Sequence, residues 1–212
     1  MYRGEDQMTN WLEKFQDLPV TAVSDGLDKY NHLWPTIKPV KETQKAVGYA
    51  KTVQIPPGDN QLVLKAIREA QEGEILIVDA GGYVDRAAAG DFIMGLAQTM
   101  GFTGAIINGA VRDIQEIRDL DFPVFCAGST PAAGFKHGHG SINEPISFNG
   151  VVVHPGDLIV AEEDGVVCVP QDRIEKVYEK AQNKLKKDEE REAKVLGDRA
   201  AVVEYLDGQL NK

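Results

Sequence analysis

Apolar positions recur with two different periods along the first half of the chain. Val47–Ile55 alternates as a half-buried strand does, and Glu74–Asp79 is almost wholly apolar, which is typical of a buried strand. Helices are predicted at Gln61–Gln71, with Asn60 as the cap, and at Ala89–Met100. Strands and helices that alternate in this way favour an α/β fold with parallel strand pairing.

The pattern changes after Ile146, where short apolar runs are separated by turn residues. Turns are predicted at Asn149-Gly150, at Pro155-Gly156-Asp157 and at Glu163-Asp164-Gly165. Their hairpin spacing predicts antiparallel strands in this part of the chain. A long polar helix is predicted from Asp172 to about Leu196, so the α/β fold ends in a C-terminal helix.

One stretch of the first half, Gly81–Asp113, carries the features that point to chemistry. Gly81-Gly82 predicts a loop without side-chain bulk, and a short apolar strand is predicted at Gly104–Asn108. The turn after this strand places Arg112 and Asp113 side by side. Such a pair is often only a surface ion pair, but together with the glycine at the preceding helix start it favours a functional site.

Length, composition and charge narrow the function classes. The 212 residues are 42% hydrophobic and 26% charged, which is typical of one domain with a sizeable core. The net charge of −10 argues against a nucleic-acid partner, because phosphate binding needs a basic surface. No secretory-signal pattern or bilayer-spanning apolar run occurs, so we expect a cytoplasmic protein with no membrane association. Cys126 and Cys168 suit buried free thiols.

Six motifs in a fixed order resemble one family, which unites the regulators of ribonuclease E activity with the 4-hydroxy-4-methyl-2-oxoglutarate aldolases. The resemblance extends from about Leu18 to Gly197. The motifs are Thr21 with Ser24-Asp25-Gly26-Leu27, Gly48–Val53, Gly90-Asp91-Phe92, Gly109–Asp113, Pro123-Val124-Phe125, and Pro155-Gly156-Asp157 with Asp164-Gly165-Val166. Each motif alone is a weak signal, but their shared order and spacing make the resemblance specific.

The resemblance implies a single domain over residues 1–212, with a core at about 18–197, folded as a swivelling α/β/β sandwich. It implies assembly as a homotrimer or a hexamer, with active sites between subunits. The aldolase branch implies a divalent-metal-dependent carbon–carbon lyase that uses Mg²⁺ or Mn²⁺. Such an enzyme releases pyruvate from a small 2-keto acid and decarboxylates oxaloacetate, in both cases through a metal-stabilised pyruvate enolate.

The resemblance also implies roles for particular residues. Arg112 would bind the keto acid, and Asp113 would bind the metal. Four residues at the helix start would contact the substrate carboxylate, namely Gly90, Asp91, Phe92 and Ile93. Three acids of the C-terminal helix compete to orient metal-bound water in a neighbouring subunit, namely Glu189, Glu190 and Glu192.

Elementary chemistry supports these roles. The first turn of a helix offers a carboxylate unpaired N–H groups and a positive dipole end, and Gly90 leaves room for close approach. The Arg112 guanidinium is a planar fork that can bind a carboxylate and a ketone oxygen. Asp113 is a hard oxygen ligand, and Mg²⁺ commonly takes one or two carboxylates with several waters. Asp91 could hold a metal-bound water or only stabilise the helix start.

Other functions remain open. A regulator without catalysis would bind another protein, with the acidic surface as the docking face. A phosphocarrier would use His137 or His139, although two histidines in a glycine-rich loop are more often a surface feature. A Schiff-base aldolase lacks a suitable lysine, since Lys51 lies in a predicted strand and most other lysines have solvated positions. Arg86, which precedes the predicted helix, is expected to be solvated.

Overall fold

The structure is a computed structural model that describes residues 5–33, 35–148 and 150–211. The helices are α1 (Glu5–Gln16), α2 (Val20–Gly26), α3 (Gln61–Arg68), α4 (Asp91–Thr99), α5 (Ile114–Asp119), α6 (Ile174–Val195) and α7 (Arg199–Leu210). The strands are β1 (Lys38–Pro39), β2 (Ala46–Gln54), β3 (Glu74–Ala89), β4 (Ala105–Val111), β5 (Val124–Ser129), β6 (Ser141–Ile142), β7 (Ile146–Phe148), β8 (Val151–Val153), β9 (Leu158–Glu162) and β10 (Gly165–Val169).

A central sheet of eight strands organises these elements. The strand order is β1-β5-β4-β3-β2-β9-β10, and β6 pairs with the far end of β2. β2, β3, β4 and β5 are parallel neighbours. β9 is antiparallel to both β2 and β10. The predicted change from parallel pairing to antiparallel pairing is therefore confirmed.

Successive side chains of the strands enter cores on opposite faces of the sheet. In β3, Leu76 and Val78 are buried together with residues of α3, α4 and α5. Ile75 and Ile77 are buried on the other face with the β7–β8 hairpin. Residues of α1, α2 and α6 pack against β9 and β10. Helices, central sheet and hairpin thus form three layers, and the predicted α/β class is confirmed.

Two strands near the proposed site are longer than the sequence predicts. A loop is predicted at Gly81-Gly82, but β3 continues to Ala89, and its register against β4 shifts after Asp79. Both glycines have positive φ, 67° and 72°. A bulge of this kind bends a strand without ending it. β4 likewise continues beyond the predicted end at Asn108 and reaches Val111.

The helix ends also differ from the predictions. The prediction that Asn60 caps α3 is wrong, since Asn60 makes no cap hydrogen bond and Asp59 Oδ1 accepts the Gln61 amide at 2.8 Å. The predicted C-terminal helix ends at Val195 and is followed by α7, which the sequence pattern did not indicate. Asn149, in the first predicted turn, lies outside the described residues. None of the helices described is both long and apolar enough to cross a bilayer.

Candidate active site

The ends of β3 and β4 bring the two halves of the predicted site together. In these parallel neighbours, Ala89 of β3 lies opposite Val111 of β4. The amide of Arg112 donates a hydrogen bond to the Ala89 carbonyl at 3.0 Å. Because α4 follows β3 and α5 follows β4, the residues after each strand meet at the carboxyl edge of the sheet, where ligands of α/β proteins commonly bind.

Asp113 has a left-handed backbone, with φ 61° and ψ 48°. Adjacent residues of a regular strand point to opposite faces, so continued extension would separate the side chains of Arg112 and Asp113. The left-handed turn instead brings Arg112 Nε to 3.2 Å from Asp113 Oδ2, with side chains 43% and 34% exposed. Aspartate adopts this conformation more readily than most residues with a side chain.

Helix α4 directs its N-terminus to the same place. The first hydrogen bond of the helix runs from the Met94 amide to the Gly90 carbonyl at 3.0 Å. The amides of Asp91, Phe92 and Ile93 therefore precede the helical hydrogen-bond pattern. Gly90 is the N-cap and has no side chain that could accept from them. These amides and the positive end of the helix dipole favour a bound carboxylate.

Gly90 lies directly against the Arg112–Asp113 pair. A Cβ atom at Gly90 would lie 3.1 Å from Arg112 Cγ and 3.2 Å from Arg112 Nε, and it would overlap Asp113 Oδ2. The Gly90 backbone is extended, with φ −132° and ψ −173°, which any residue can adopt. Glycine is therefore required for close approach and not for its conformational freedom. The sequence predicts open space beside Gly90 for a substrate carboxylate, but the Asp113 carboxylate occupies part of that space.

These groups surround a cavity of about 300 Å³, a volume that suits a small organic acid. Six residues predicted for the site line it, namely Gly90, Asp91, Phe92, Ile93, Arg112 and Asp113. Lys136 also lines it, so two cationic and two anionic side chains face one small space.

Asn60 and Lys136 line the cavity although the sequence pattern singles out neither as a site residue. The 130–140 loop, which follows β5, brings them together. The Phe135 amide donates to the Gly58 carbonyl at 2.6 Å, and the Asn60 amide donates to the Phe135 carbonyl at 2.9 Å. No local signal marks this contact, because it depends on pairing between segments that are far apart in sequence.

The other candidate residues do not line this cavity. Glu189, Glu190 and Glu192 are exposed on α6, and none of them lines the cavity of the described chain. α6 packs against α2, β9 and β10, away from the carboxyl ends of β3 and β4. His137 and His139 are exposed in the 130–140 loop and are not among the residues that line the cavity.

The side chains of the site can be compared with the ligands that a divalent metal ion requires. Within the described residues, no group of three or more His, Cys, Asp or Glu side chains has the arrangement of a metal site. One chain therefore builds no closed all-protein centre in its described part. Asp113 is one partly exposed carboxylate, and although the residue is the N-cap of α5, its side chain makes no cap hydrogen bond. A single carboxylate of this kind fits Mg²⁺ or Mn²⁺, because Mg²⁺ keeps several waters and oxygen ligands suit both ions.

Comparison with known proteins places this chain in a family. The family model described as RraA-like, Aldolase/RraA, matches residues 20–168. The chain belongs to the RraA-like family. The match includes every cavity-lining residue named above, whereas α6 and α7 lie beyond it.

Individual relatives of this RraA-like chain carry two kinds of name. A Halalkalibacterium halodurans protein, provisionally named 4-hydroxy-4-methyl-2-oxoglutarate aldolase, is 44% identical over 202 residues, which cover 95% of this chain and 96% of that protein. A Thermus thermophilus protein named 4-hydroxy-4-methyl-2-oxoglutarate aldolase is 36% identical over 113 residues, 53% of this chain and 69% of that protein. The solved structure of the RNA-processing inhibitor RraA from Thermus thermophilus has a TM-score of 0.68 and 30% identity, and the match covers 73% of this chain and 93% of that one.

Proposed function

We propose that this RraA-like protein is a pyruvate-releasing lyase. Its substrate would be 4-hydroxy-4-methyl-2-oxoglutarate or a similar 4-hydroxy-2-oxo acid, and it would also decarboxylate oxaloacetate. The observation that carries the proposal is the Arg112–Asp113 ion pair, held against the N-terminus of α4 in one small cavity. The aldolase names of the Halalkalibacterium and Thermus relatives support the same reaction class.

The proposed roles of these residues follow from where negative charge develops during the reaction. Retro-aldol cleavage and oxaloacetate decarboxylation both break the C3–C4 bond of a 2-oxo acid and move the electron pair towards the ketone oxygen. The α4 amides would hold the carboxylate beside the ketone, and the Arg112 guanidinium would stabilise the negative charge on the ketone oxygen. Loss of one such donor commonly lowers turnover by about 10²–10³-fold.

Asp113 and Asp91 would complete the reactive centre. Asp113 would hold Mg²⁺ or Mn²⁺, which would supply further positive charge beside the ketone oxygen. Asp91 lines the same cavity and would accept the proton of the substrate's C4 hydroxyl through a water.

The proposed active unit is a homotrimer or a hexamer. Phe92 is 72% exposed, although it belongs to the cavity lining, so one wall of the cavity is open. The acids Glu189, Glu190 and Glu192 are exposed on α6 and do not line the cavity of their own chain. A neighbouring subunit's α6 would bring one of these acids to the open side.

Pyruvate release tests the proposal directly. The substrates are 4-hydroxy-4-methyl-2-oxoglutarate and oxaloacetate, each with Mg²⁺, with Mn²⁺ and with EDTA. We expect release of pyruvate that requires the metal and is lost in Asp113→Asn. Full activity in EDTA would refute the metal dependence. No release from either substrate with either metal would refute the lyase.

A regulator that binds a ribonuclease is the second candidate. The likeness to the RNA-processing inhibitor RraA of Thermus thermophilus favours it. A pull-down should then retrieve an RNA-degradation enzyme, and reversal of surface acids should abolish the capture while Asp113→Asn leaves it intact. Capture that is lost in Asp113→Asn alone would link the interaction to the cavity and argue against a docking face of surface acids.

A further inference from the structure

We propose that Asp79 and Asn108 are positioning residues for pyruvate release. The hydrogen bond between their side chains, together with the bond from the Gly81 amide to Asp79, fixes the point at which β3 leaves its regular pairing with β4. That point determines where Gly90, the residue after β3, meets the Arg112–Asp113 pair. This inference rests on the proposed lyase function and adds to it two residues that do not line the cavity.

The second half of β3 does not follow β4 residue by residue. Asp79 lies opposite Asn108 and Ala89 lies opposite Val111, so residues 80–88 of β3 correspond to only residues 109–110 of β4. The 80–88 segment therefore bulges away from β4 and has to return at one particular residue. Because side chains alternate between the two faces of a strand, a return one residue early or late would turn Ala89 and the following Gly90 away from their present positions.

Asp79 is the last residue of β3 with regular neighbours on both sides. It lies opposite Gln54, where β2 ends, and opposite Asn108 of β4. Beyond this point the Asp79 side chain takes over the pairing, since its Oδ1 atom accepts the Gly81 amide at 2.9 Å and Asn108 Nδ2 at 2.8 Å. The first of these bonds holds the left-handed Gly81, at which the bulge begins. Bulges beside active sites commonly redirect the residues that follow them.

The polar pair lies on an otherwise apolar face of the sheet. Asp79 is 8% exposed and Asn108 is 2% exposed, and the preceding pair on the same face, Ile77 and Ile106, belongs to the core. Because Nδ2 of Asn108 is turned to the carboxylate, its Oδ1 atom has no hydrogen-bond partner among the described residues. A buried carboxylate and an unpaired carboxamide oxygen both cost stability that an apolar pair would not. The presence of this pair therefore indicates a role other than packing.

The start of the 80–88 segment lies directly against β4. A Cβ atom at Gly109 would lie 2.9 Å from Ala80 Cβ and 3.1 Å from the Tyr83 carbonyl oxygen. Glycine at position 109 is therefore required for this close approach. A change in the position of Asp79 would consequently be transmitted to the rest of the segment.

The end of the segment is held by the 130–140 loop. The Ala87 amide donates to the Ala132 carbonyl at 2.8 Å, and Arg86 Nη1 donates to the Ala133 carbonyl at 3.1 Å. The Arg86 guanidinium also lies 4.3 Å from the centre of the Phe135 ring, so the expectation that Arg86 is only solvated is wrong. The 80–88 segment is thus fixed at both ends, by Asp79 where it leaves β4 and by the loop where it returns.

Two substitutions of Asp79 provide the test. Asp79→Leu removes the acceptor at nearly constant size, and we expect the kcat for pyruvate release to fall by about 10²-fold, as a displacement of about 1 Å can cause. KM should change little, because the groups that bind the carboxylate and the metal all remain. Asp79→Asn keeps an oxygen that can accept the Gly81 amide and should keep most of the turnover. All variants are compared at a temperature at which circular dichroism shows each to be folded.

Two further variants separate positioning from stability. Replacement of both buried partners by apolar groups can be nearly neutral for stability, so Asp79→Leu/Asn108→Leu should melt closer to wild type than Asp79→Leu does. Its kcat should nevertheless stay low, because the Gly81 amide still lacks its acceptor. Thr52→Val, in β2, is the matched control, since it removes the buried hydrogen bond from Thr52 Oγ1 to the Glu144 carbonyl at 2.7 Å. This variant should melt at a lower temperature and keep the wild-type kcat.

Amide hydrogen exchange gives a measurement that does not depend on the lyase. The amides of Ala87 and Arg112, which hold the returning part of β3, should exchange faster in Asp79→Leu than in wild type or Thr52→Val. If Asp79→Leu does not fold, the double variant takes its place with the same expected results.

Three results would overturn the inference. They are equal exchange at both amides in wild type and Asp79→Leu, turnover that follows the melting temperature across all variants, and turnover as low in Asp79→Asn as in Asp79→Leu. A wild type that releases no pyruvate would refute the lyase alone, and the exchange rates would still decide whether Asp79 fixes the end of β3.

Discussion

Arg112 Nε lies 3.2 Å from Asp113 Oδ2, a contact between adjacent residues that a regular strand would prevent. The left-handed backbone at Asp113 makes the contact possible. Gly90 completes the arrangement, because its lack of a side chain lets the start of α4 approach the pair. One backbone turn and one glycine thus bring a cation, a carboxylate and a helix N-terminus into the same cavity.

For pyruvate release, the planar arrangement of N–H donors in the Arg112 guanidinium should matter more than its positive charge. Arg112→Lys keeps a positive charge but cannot bind a carboxylate and a ketone oxygen with two fixed N–H groups. We expect the kcat/KM for pyruvate release to fall by about 10²-fold, as after loss of one donor to a developing negative charge. Arg118→Lys, at an exposed position of α5, is the control and should have wild-type activity. Similar activity in both variants would contradict a direct role of Arg112.

The backbone of Asp113 predicts an effect on stability that is separate from catalysis. A left-handed conformation costs an ordinary L-residue about 1–2 kcal/mol, and glycine avoids this cost. Asp113→Gly should therefore have a free energy of unfolding about 1 kcal/mol higher than that of Asp113→Ala. Both variants lack the carboxylate, so both should lose activity. Urea denaturation measures the difference, and equal stability of the two variants would show that the conformation carries no strain.

Gly90→Ala should impair the site while the protein remains folded. The new methyl group would overlap Asp113 Oδ2 and would crowd Arg112 Cγ and Nε, all of which belong to partly exposed side chains that can move. We expect the pair to be displaced and the kcat for pyruvate release to fall, with little change in the melting temperature.

Gly95→Ala is the matched control on the same helix. A Cβ atom at Gly95 would have no neighbour within 4 Å. Alanine is a better helix former than glycine by roughly 0.5–1 kcal/mol, so this variant should be at least as stable as wild type and fully active. Full activity of Gly90→Ala would mean that the contact between Gly90 and the Arg112–Asp113 pair has no catalytic importance.

The predictable part of the site is the part that is local in sequence. Arg112 and Asp113 are adjacent, and Gly90 opens a helix whose apolar spacing is plain. Parallel strands then place both features at one edge of the sheet, as strand–helix alternation predicts. The end of the neighbouring strand β3 differs from the prediction. Its glycines, Gly81 and Gly82, indicate a loop, yet their positive φ values allow a bulge within a continuing strand.

Asn60 and Lys136 could not be predicted from local patterns. Asparagine before an apolar helix commonly caps that helix, but here the preceding residue, Asp59, accepts the amide of Gln61 instead. Lys136 lies in a loop without periodicity. The hydrogen bonds between Phe135 and the Gly58–Asn60 segment bring the two residues together, and such long-range pairing leaves no signal in either segment.

Asp59 should make the 130–140 loop sensitive to acid. Burial raises the pKa of the Asp59 carboxyl, but hydrogen bonds from the amides of Gln61, His137 and Gly138 outweigh burial and hold the pKa below its ordinary value. A pKa that is lower in the folded state contributes stability above the unfolded-state value of about 3.9, and this contribution is lost as the pH falls through the folded-state pKa. Wild type should therefore lose stability below about pH 4.

Asp59→Asn removes this titration and isolates its effect. At pH 7 we expect the variant to be less stable by about 2 kcal/mol, because a neutral amide accepts these hydrogen bonds more weakly than a carboxylate does. The difference from wild type should shrink as the pH falls through the lowered pKa of Asp59 in the folded state, because the wild-type carboxyl then becomes protonated. Amide hydrogen exchange should be faster at His137 and Gly138 in the variant. If the free energies of unfolding of wild type and Asp59→Asn differ by the same amount at every pH, then Asp59 does not anchor the loop through its charge.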